Sequence, residues 1–205
     1  MGKRLGVICL VLGVVCLLGA AGFVVYNRWE DKHADAVSQE LLVDVQSILD
    51  EKQPVSPAPK DPVNVPGDYE KLPKEMATVP AGEYDCIGIL SIPVLDLELP
   101  VLTDWSYAKL KKAPCHYYGT YYDENFVIAA HNYQSHFGRL SELQPGDLVI
   151  FTDVHGMDHC YEVALLETLP KEATMEMIAS GFDLSLYTCT PGGASRVTVR
   201  CNAVS

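Results

Sequence analysis

The sequence predicts a mainly β protein: a closed barrel of short strands with short helices, carried behind an N-terminal membrane-spanning helix. Three observations lead there. Residues 5–26 form an uninterrupted apolar run. A proline-rich stretch separates this N-terminal region from the rest. Beyond it, short alternating or fully apolar segments recur between turn residues, the pattern of a small barrel.

The apolar run, LGVICLVLGVVCLLGAAGFVVY, contains 22 residues and no charge. As a helix it would be about 33 Å long, enough to cross a bilayer core. Lys3 and Arg4 precede it, so residues 1–4 are expected in the cytoplasm and the remainder outside the cell. The run continues past the small residues Gly19–Gly22 and exceeds a signal-peptide core, so it reads as an uncleaved anchor. Over residues 27–52, Val37, Leu41, Leu42, Val45, Ile48 and Leu49 recur at helical spacing, which predicts a helical stalk. Residues 53–67 hold five prolines, and the stretch 53–81 reads as a linker with neither helix nor central strand. The compact domain is expected over residues 82–205, a usual size for one core.

Within that domain, strands are expected at Cys86–Ile92, Leu97–Leu102, Asn125–His131, Asp147–Asp153, His159–Thr168, Leu184–Thr188 and Arg196–Cys201. Short helical turns are expected at Leu140–Leu143 and within residues 171–179. The net charge of −12 and the absence of a basic stripe argue against nucleic-acid binding. No glycine-rich phosphate loop occurs, and no cofactor is expected.

The last hairpin, LSLYTCTPGGASRVTVRC, carries the chemistry. Alternation puts Leu184, Leu186 and Thr188 on one face and Ser185, Tyr187 and Cys189 on the other. Across the turn, Val197 and Val199 belong with the leucines, and Arg196, Thr198 and Arg200 with the cysteine. Distance from the turn separates the two arginines: Arg196 is nearer the strand end bearing Cys189. An ordinary thiol, with a pKa of about 8.5, is only ~3% thiolate at pH 7. A neighbouring guanidinium favours the anion and also hydrogen-bonds a developing oxyanion. An imidazole carries the proton that a leaving amine needs. His131 ends the apolar segment NFVIAAH, where its ring would reach a groove.

In context these residues resemble those of the sortase family. SLYTC at 185–189 is similar to its Thr-Leu-x-Thr-Cys nucleophile motif, and Arg196, seven residues on, matches its active-site arginine. VIAAHNY at 127–133 is similar to its histidine strand, and GILSIPVLDLELPVL at 88–102 to its opening strand pair. The resemblance covers residues 84–202. It implies an eight-stranded barrel and a cysteine transpeptidase anchored by one span in the cell membrane, with its catalytic domain outside. Cys189 would attack the threonine carbonyl of a Leu-Pro-x-Thr-Gly-like sorting signal on a surface protein. An amine of a peptidoglycan cross-bridge or a pilin would resolve the thioester. His131 would be the general acid and then base, and Arg196 would hold the oxyanion. Thr188, Ser185, Ala130 and Asn132 would bind substrate. Ala130 stands where glycine is usual, Ser185 where threonine is usual, and Tyr187 is bulky at a variable position.

Three other readings compete. A cysteine hydrolase would use the same thioester with water as acceptor. A non-catalytic exported β-domain would keep Cys189 buried or disulfide-bonded. Metal binding by Asp153, His155, Asp158 and His159, or calcium at Glu172 and Glu176, is the third, and no metal is expected. Tyr117, Tyr118, Tyr121 and Tyr122 read as wall packing. Cys86, Cys115, Cys160 and Cys201 leave zero, one or two disulfides open.

Overall fold

The computed structural model describes residues 2–52, 76–123 and 125–204. Residues 53–75, most of the stretch read as a linker and most of the segment 54–80 for which the sequence leaves a lid open, lie outside the described residues.

The segments read from sequence as span and stalk form one unbroken helix, α1 (Gly2–Lys52). Its apolar residues from Val7 to Trp29 are exposed, and it contains an 18-residue window of mean hydropathy 2.8. From Ala34 onward one face turns inward: Ala34, Leu41, Leu42, Val45 and Leu49 are all buried. Leu41, Leu42, Val45 and Leu49 form a second core with Val79, Ala81, Cys86, Ile89, Leu102 and Cys115. The stalk is therefore docked on the barrel along its length. Fully burying Leu41, Leu42, Val45 or Leu49 contributes about 1.5–3 kcal/mol apiece. An interfacial hydrogen bond such as Asp44 to the Gly82 amide (3.0 Å) contributes about 1 kcal/mol, so the apolar stripe decides the docking.

Among the described residues nine strands follow: β1 (Val79–Ala81), β2 (Tyr84–Ile92), β3 (Leu97–Leu102), β4 (Cys115–Tyr118), β5 (Phe126–Ala129), β6 (Leu148–Asp153), β7 (Asp158–Pro170), β8 (Leu184–Cys189) and β9 (Ser195–Ala203). Helices α2 (Tyr107–Leu110) and α3 (Thr174–Ile178) are single turns. The order β2-β3-β4-β5-β8-β9-β7-β6 returns to β2, which closes an eight-stranded barrel. β1 is added at the β2 edge, within the stretch read from sequence as linker. β3 with β4 and β5 with β8 are parallel; the other pairs are antiparallel. Ile87, Leu90, Phe126, Ile128, Phe137, Phe151, Leu184, Leu186 and Val199 fill the interior.

Closure depends on one glycine. β2 bulges between Cys86 and Gly88 and there meets β6, with Gly88 opposite Asp153. Gly88 has φ +155°, and a Cβ there would lie 2.2 Å from the Thr152 carbonyl oxygen. Only glycine lets the two backbones approach so closely.

The strand directions gather one set of ends at one rim. The C-terminal ends of β5, β7 and β8 and the N-terminal end of β9 all lie there, as the registers Ala129 to Tyr187, Cys189 to Arg196 and Pro170 to Ser195 require.

Candidate active site

The β8–β9 hairpin places Cys189 directly opposite Arg196. Its turn is fixed locally. The Thr190 amide donates to the Ser195 carbonyl (3.0 Å), the Ser195 amide donates to the Thr190 hydroxyl (3.2 Å), the two hydroxyls bond at 3.1 Å, and Gly192 and Gly193 adopt positive φ. Both Cys189 and Arg196 are half-buried. Among the described residues the Arg196 guanidinium donates only to the adjacent Ser195 carbonyl, at 3.5 Å, so its fork remains open to the cleft.

Arg200 has a different role. It lies opposite Ser185, is 1% exposed, and spends its donors on Glu167 (2.8 Å), the Ser185 hydroxyl (2.8 Å) and the carbonyls of Glu176 (2.7 Å) and Met177 (3.2 Å). Ser185 is corrected accordingly. Alternation places it on the cysteine face, but α3 and Arg200 cover that end of β8, so the residue is fully buried and does not line a groove.

His131 arrives from the neighbouring strand. β5 pairs with β8 through Ala129 and Tyr187. The ladder continues one step further: the Ala130 amide donates to the Tyr187 carbonyl (3.2 Å) and the Thr188 hydroxyl to the Ala130 carbonyl (2.9 Å). His131 and Cys189 each lie two residues beyond the last β5–β8 pair, at the same rim. Thr188 is 3% exposed, so its hydroxyl acts chiefly as a clamp on the histidine strand. Ala130 borders the Cys189 groove, and Asn132 borders the cavities on either side of it.

The His131 ring stacks on Tyr133, with centroids 4.0 Å apart and planes at 22°. Its Nδ1 is buried and has no hydrogen-bond partner among the described residues. Burial first, then the Lys111 ammonium, lowers the imidazole pKa below 6.5, while Glu30 opposes the change. Further along the loop, His136 is fully buried, and burial pushes it down to about 4. Tyr133 and His136 carried no distinguishing signal in the sequence, apart from Tyr133 standing two residues from His131.

A narrow groove of about 90 Å³ leaves Cys189 and Arg196 between Ala130, Tyr187, Tyr117 and Trp105 on one side and Pro170, Thr174 and Met177 on the other. Tyr117 meets Tyr187 edge-on at 5.3 Å and Trp105 at 5.4 Å. Tyr117 is thus a groove residue, whereas Tyr121 packs against Phe126 and Phe151 in the barrel. A wider cavity, about 780 Å³, lies at the opposite rim among Tyr121, Asp158, His159 and Asp183, and touches none of Cys189, His131 or Arg196. The Asp153 carboxylate there is taken by the turn itself, accepting from the His155 and Met157 amides and pairing with His159 at 3.2 Å.

All seven cysteines are free. Burial pushes the Cys86, Cys115 and Cys201 thiols up to about 12, which makes them inert at neutral pH. Cys189 is half-buried in the groove that holds Arg196.

The family profile for the sortase domain matches residues 90–204, more than half of the chain. The chain belongs to the sortase family. Solved sortase structures share its fold. Sortase A from Corynebacterium diphtheriae is 25% identical over 60% of this chain, with a TM-score of 0.54. Sortase C1 from Streptococcus suis is 26% identical over 58% of this chain and 73% of that one, with a TM-score of 0.51. Sortase C from Clostridium perfringens SM101, 19% identical, aligns over 90% of this sortase and 99% of its own chain at a TM-score of 0.52 and supports the fold alone. The match spans 62% of the Corynebacterium diphtheriae chain. No curated protein gives a significant match to this sortase.

Proposed function

We propose that this sortase is a membrane-anchored cysteine transpeptidase in which Cys189, His131 and Arg196 carry the reaction. The observation that supports the reading best is the ladder register: Cys189 lies opposite Arg196, and β5 runs parallel to β8 so that His131 and Cys189 each follow two residues past the last pair, at one rim. Residues 5–26 are the anchor, residues 1–4 lie in the cytoplasm, the stalk over 27–52 rests on the barrel, and the catalytic unit outside the cell includes residues 82–205.

In this reading the Cys189 sulfur attacks a peptide carbonyl of a sorting signal held in the groove. The aromatic wall of Trp105, Tyr117 and Tyr187 suits an apolar, proline-containing segment. The lowered pKa leaves the His131 imidazole neutral at pH 7, able to take the thiol proton as the C–S bond forms. It delivers that proton to the leaving amine as the C–N bond breaks. Arg196 donates to the carbonyl oxygen as it gains negative charge. A primary amine of the cell wall or a pilin then attacks the thioester, giving its proton to His131, and the thiol is regenerated when that proton returns to sulfur.

Partition between acceptors tests this reading against a hydrolase. The full chain in detergent micelles is incubated with a Leu-Pro-x-Thr-Gly peptide, with and without a primary amine. The expected result is that amine-joined product replaces hydrolysis product as amine concentration rises. Hydrolysis unaffected by amine would overturn the transpeptidase reading in favour of a peptidase.

A further inference from the structure

The helix that carries the anchor also reaches the candidate active site. A few residues beyond the apolar run, α1 crosses the rim beside the histidine loop. The Glu30 carboxylate accepts Lys111 Nζ at 2.7 Å, just after α2. The Asp31 carboxylate accepts the Ser135 amide (3.2 Å) and hydroxyl (2.9 Å). Between helix and loop lies a cleft of about 370 Å³ bordered by Arg28, Glu30, Asp31, His131, Tyr133 and Pro191. Tyr133, 8% exposed, is the platform on which His131 stacks.

We propose that Glu30, on the membrane-proximal part of α1, is a positioning residue for His131, acting through Tyr133 and against Lys111. The inference rests on the reading of His131 as the proton carrier. Glu30 is placed for this role because its carboxylate holds the Lys111 ammonium at 2.7 Å and lines the same cleft as Tyr133 and His131. Lys111 most strongly lowers its pKa, and Tyr133 and His131 add to the effect. Burial, then Glu30, raises the Tyr133 pKa, which keeps the phenol neutral beneath the imidazole. Glu30 and Lys111 act on His131 with opposite sign. The remaining charged or titratable groups around the ring are Arg28 and Asp31 on α1 and His136 in its own loop, with Cys189 and Arg196 paired at the same rim. None of them changes when the Glu30–Lys111 pair is edited. A catalytic unit cut free of α1 would lose this wall of the cleft.

Opposite signs give a test that a merely structural pair would fail. Glu30→Gln and Lys111→Met break the same ion pair and loosen α1 alike. Positioning predicts that they move the His131 titration in opposite directions: Glu30→Gln to lower pH, Lys111→Met to higher pH. The titration is followed in the full chain in micelles by NMR of ring-labelled histidine, with the resonance assigned by its loss in His131→Gln. The acid limb of kcat/KM for transpeptidation is measured on the same variants and should move with it. Shifts in the same direction, or none, would overturn the inference and leave the proton-carrier reading standing. Opposite NMR shifts with an unmoved acid limb would support Glu30 as a charge acting on the ring and overturn the proton-carrier reading.

Discussion

Arg196→Ala is expected to lower kcat/KM by about 10²–10³ while leaving the melting temperature unchanged, because it removes an oxyanion donor and little else. Among the described residues the Arg196 side chain holds only the adjacent Ser195 carbonyl, at 3.5 Å. Arg200→Ala should behave in the opposite way. Arg200 is 1% exposed and holds Glu167, Ser185 and the carbonyls that end α3, so its loss leaves several polar groups without partners in a covered site. Breaking such a buried network costs about 3–5 kcal/mol. The expected phenotype is a large drop in stability, with specific activity surviving in whatever fraction stays folded. Urea melts beside kcat/KM on both variants check the contrast; activity loss confined to Arg200→Ala would reverse the assignment.

The second large effect is on stability as pH falls. His136 is fully buried between α1, α2 and the histidine loop, with Tyr133 edge-on at 5.6 Å, and burial holds its pKa at about 4 against about 6.5 when unfolded. Between those values the unfolded chain binds a proton that the folded chain does not, so stability rises with pH there and is lost as pH falls from 6.5 towards 4. The loss should reach about 3 kcal/mol at pH 4 and then level off. His136→Leu cannot titrate, so its urea midpoint should show a correspondingly flatter slope over this window, whatever its absolute stability. An unchanged slope would mean that another group sets the acid sensitivity. Because His136 shares its loop with His131, the same protonation would strain the candidate active site before the barrel unfolds.

The hairpin that supports the functional reading was legible because period-two alternation is a local property. Leu184, Leu186 and Thr188 faced inward as expected, and the tight turn set Cys189 opposite Arg196. That Arg196 rather than Arg200 lies opposite Cys189 was legible for the same reason, since distance from a turn is counted along the chain. Ser185 was misread because alternation distinguishes two faces but does not say what covers the outer one. Here α3, which ends six residues before β8 begins, closes over Ser185 and Arg200. β4 was missed since Cys115–Tyr118 is four residues long with no alternation, and it is held by its pairing with β5. The docking of α1 was hidden for a similar reason. The stripe Leu41, Leu42, Val45 and Leu49 announces an amphipathic helix, but its partners come from β1 to β4, up to 74 residues away in the chain. The contact of Glu30 with Lys111 spans 81 residues and left no trace in the sequence pattern.

The central claim is that sulfur, imidazole and guanidinium from separate strand ends act together on one peptide bond. Peptide mapping by mass spectrometry, after the full chain has been incubated with a sorting-signal peptide and quenched in acid, tests it most directly. The account predicts a thioester on Cys189, absent in Cys189→Ala and strongly reduced in His131→Ala and Arg196→Ala. An acyl group on Cys86, Cys115, Cys160 or Cys201, or Cys189 recovered in a disulfide, would contradict it.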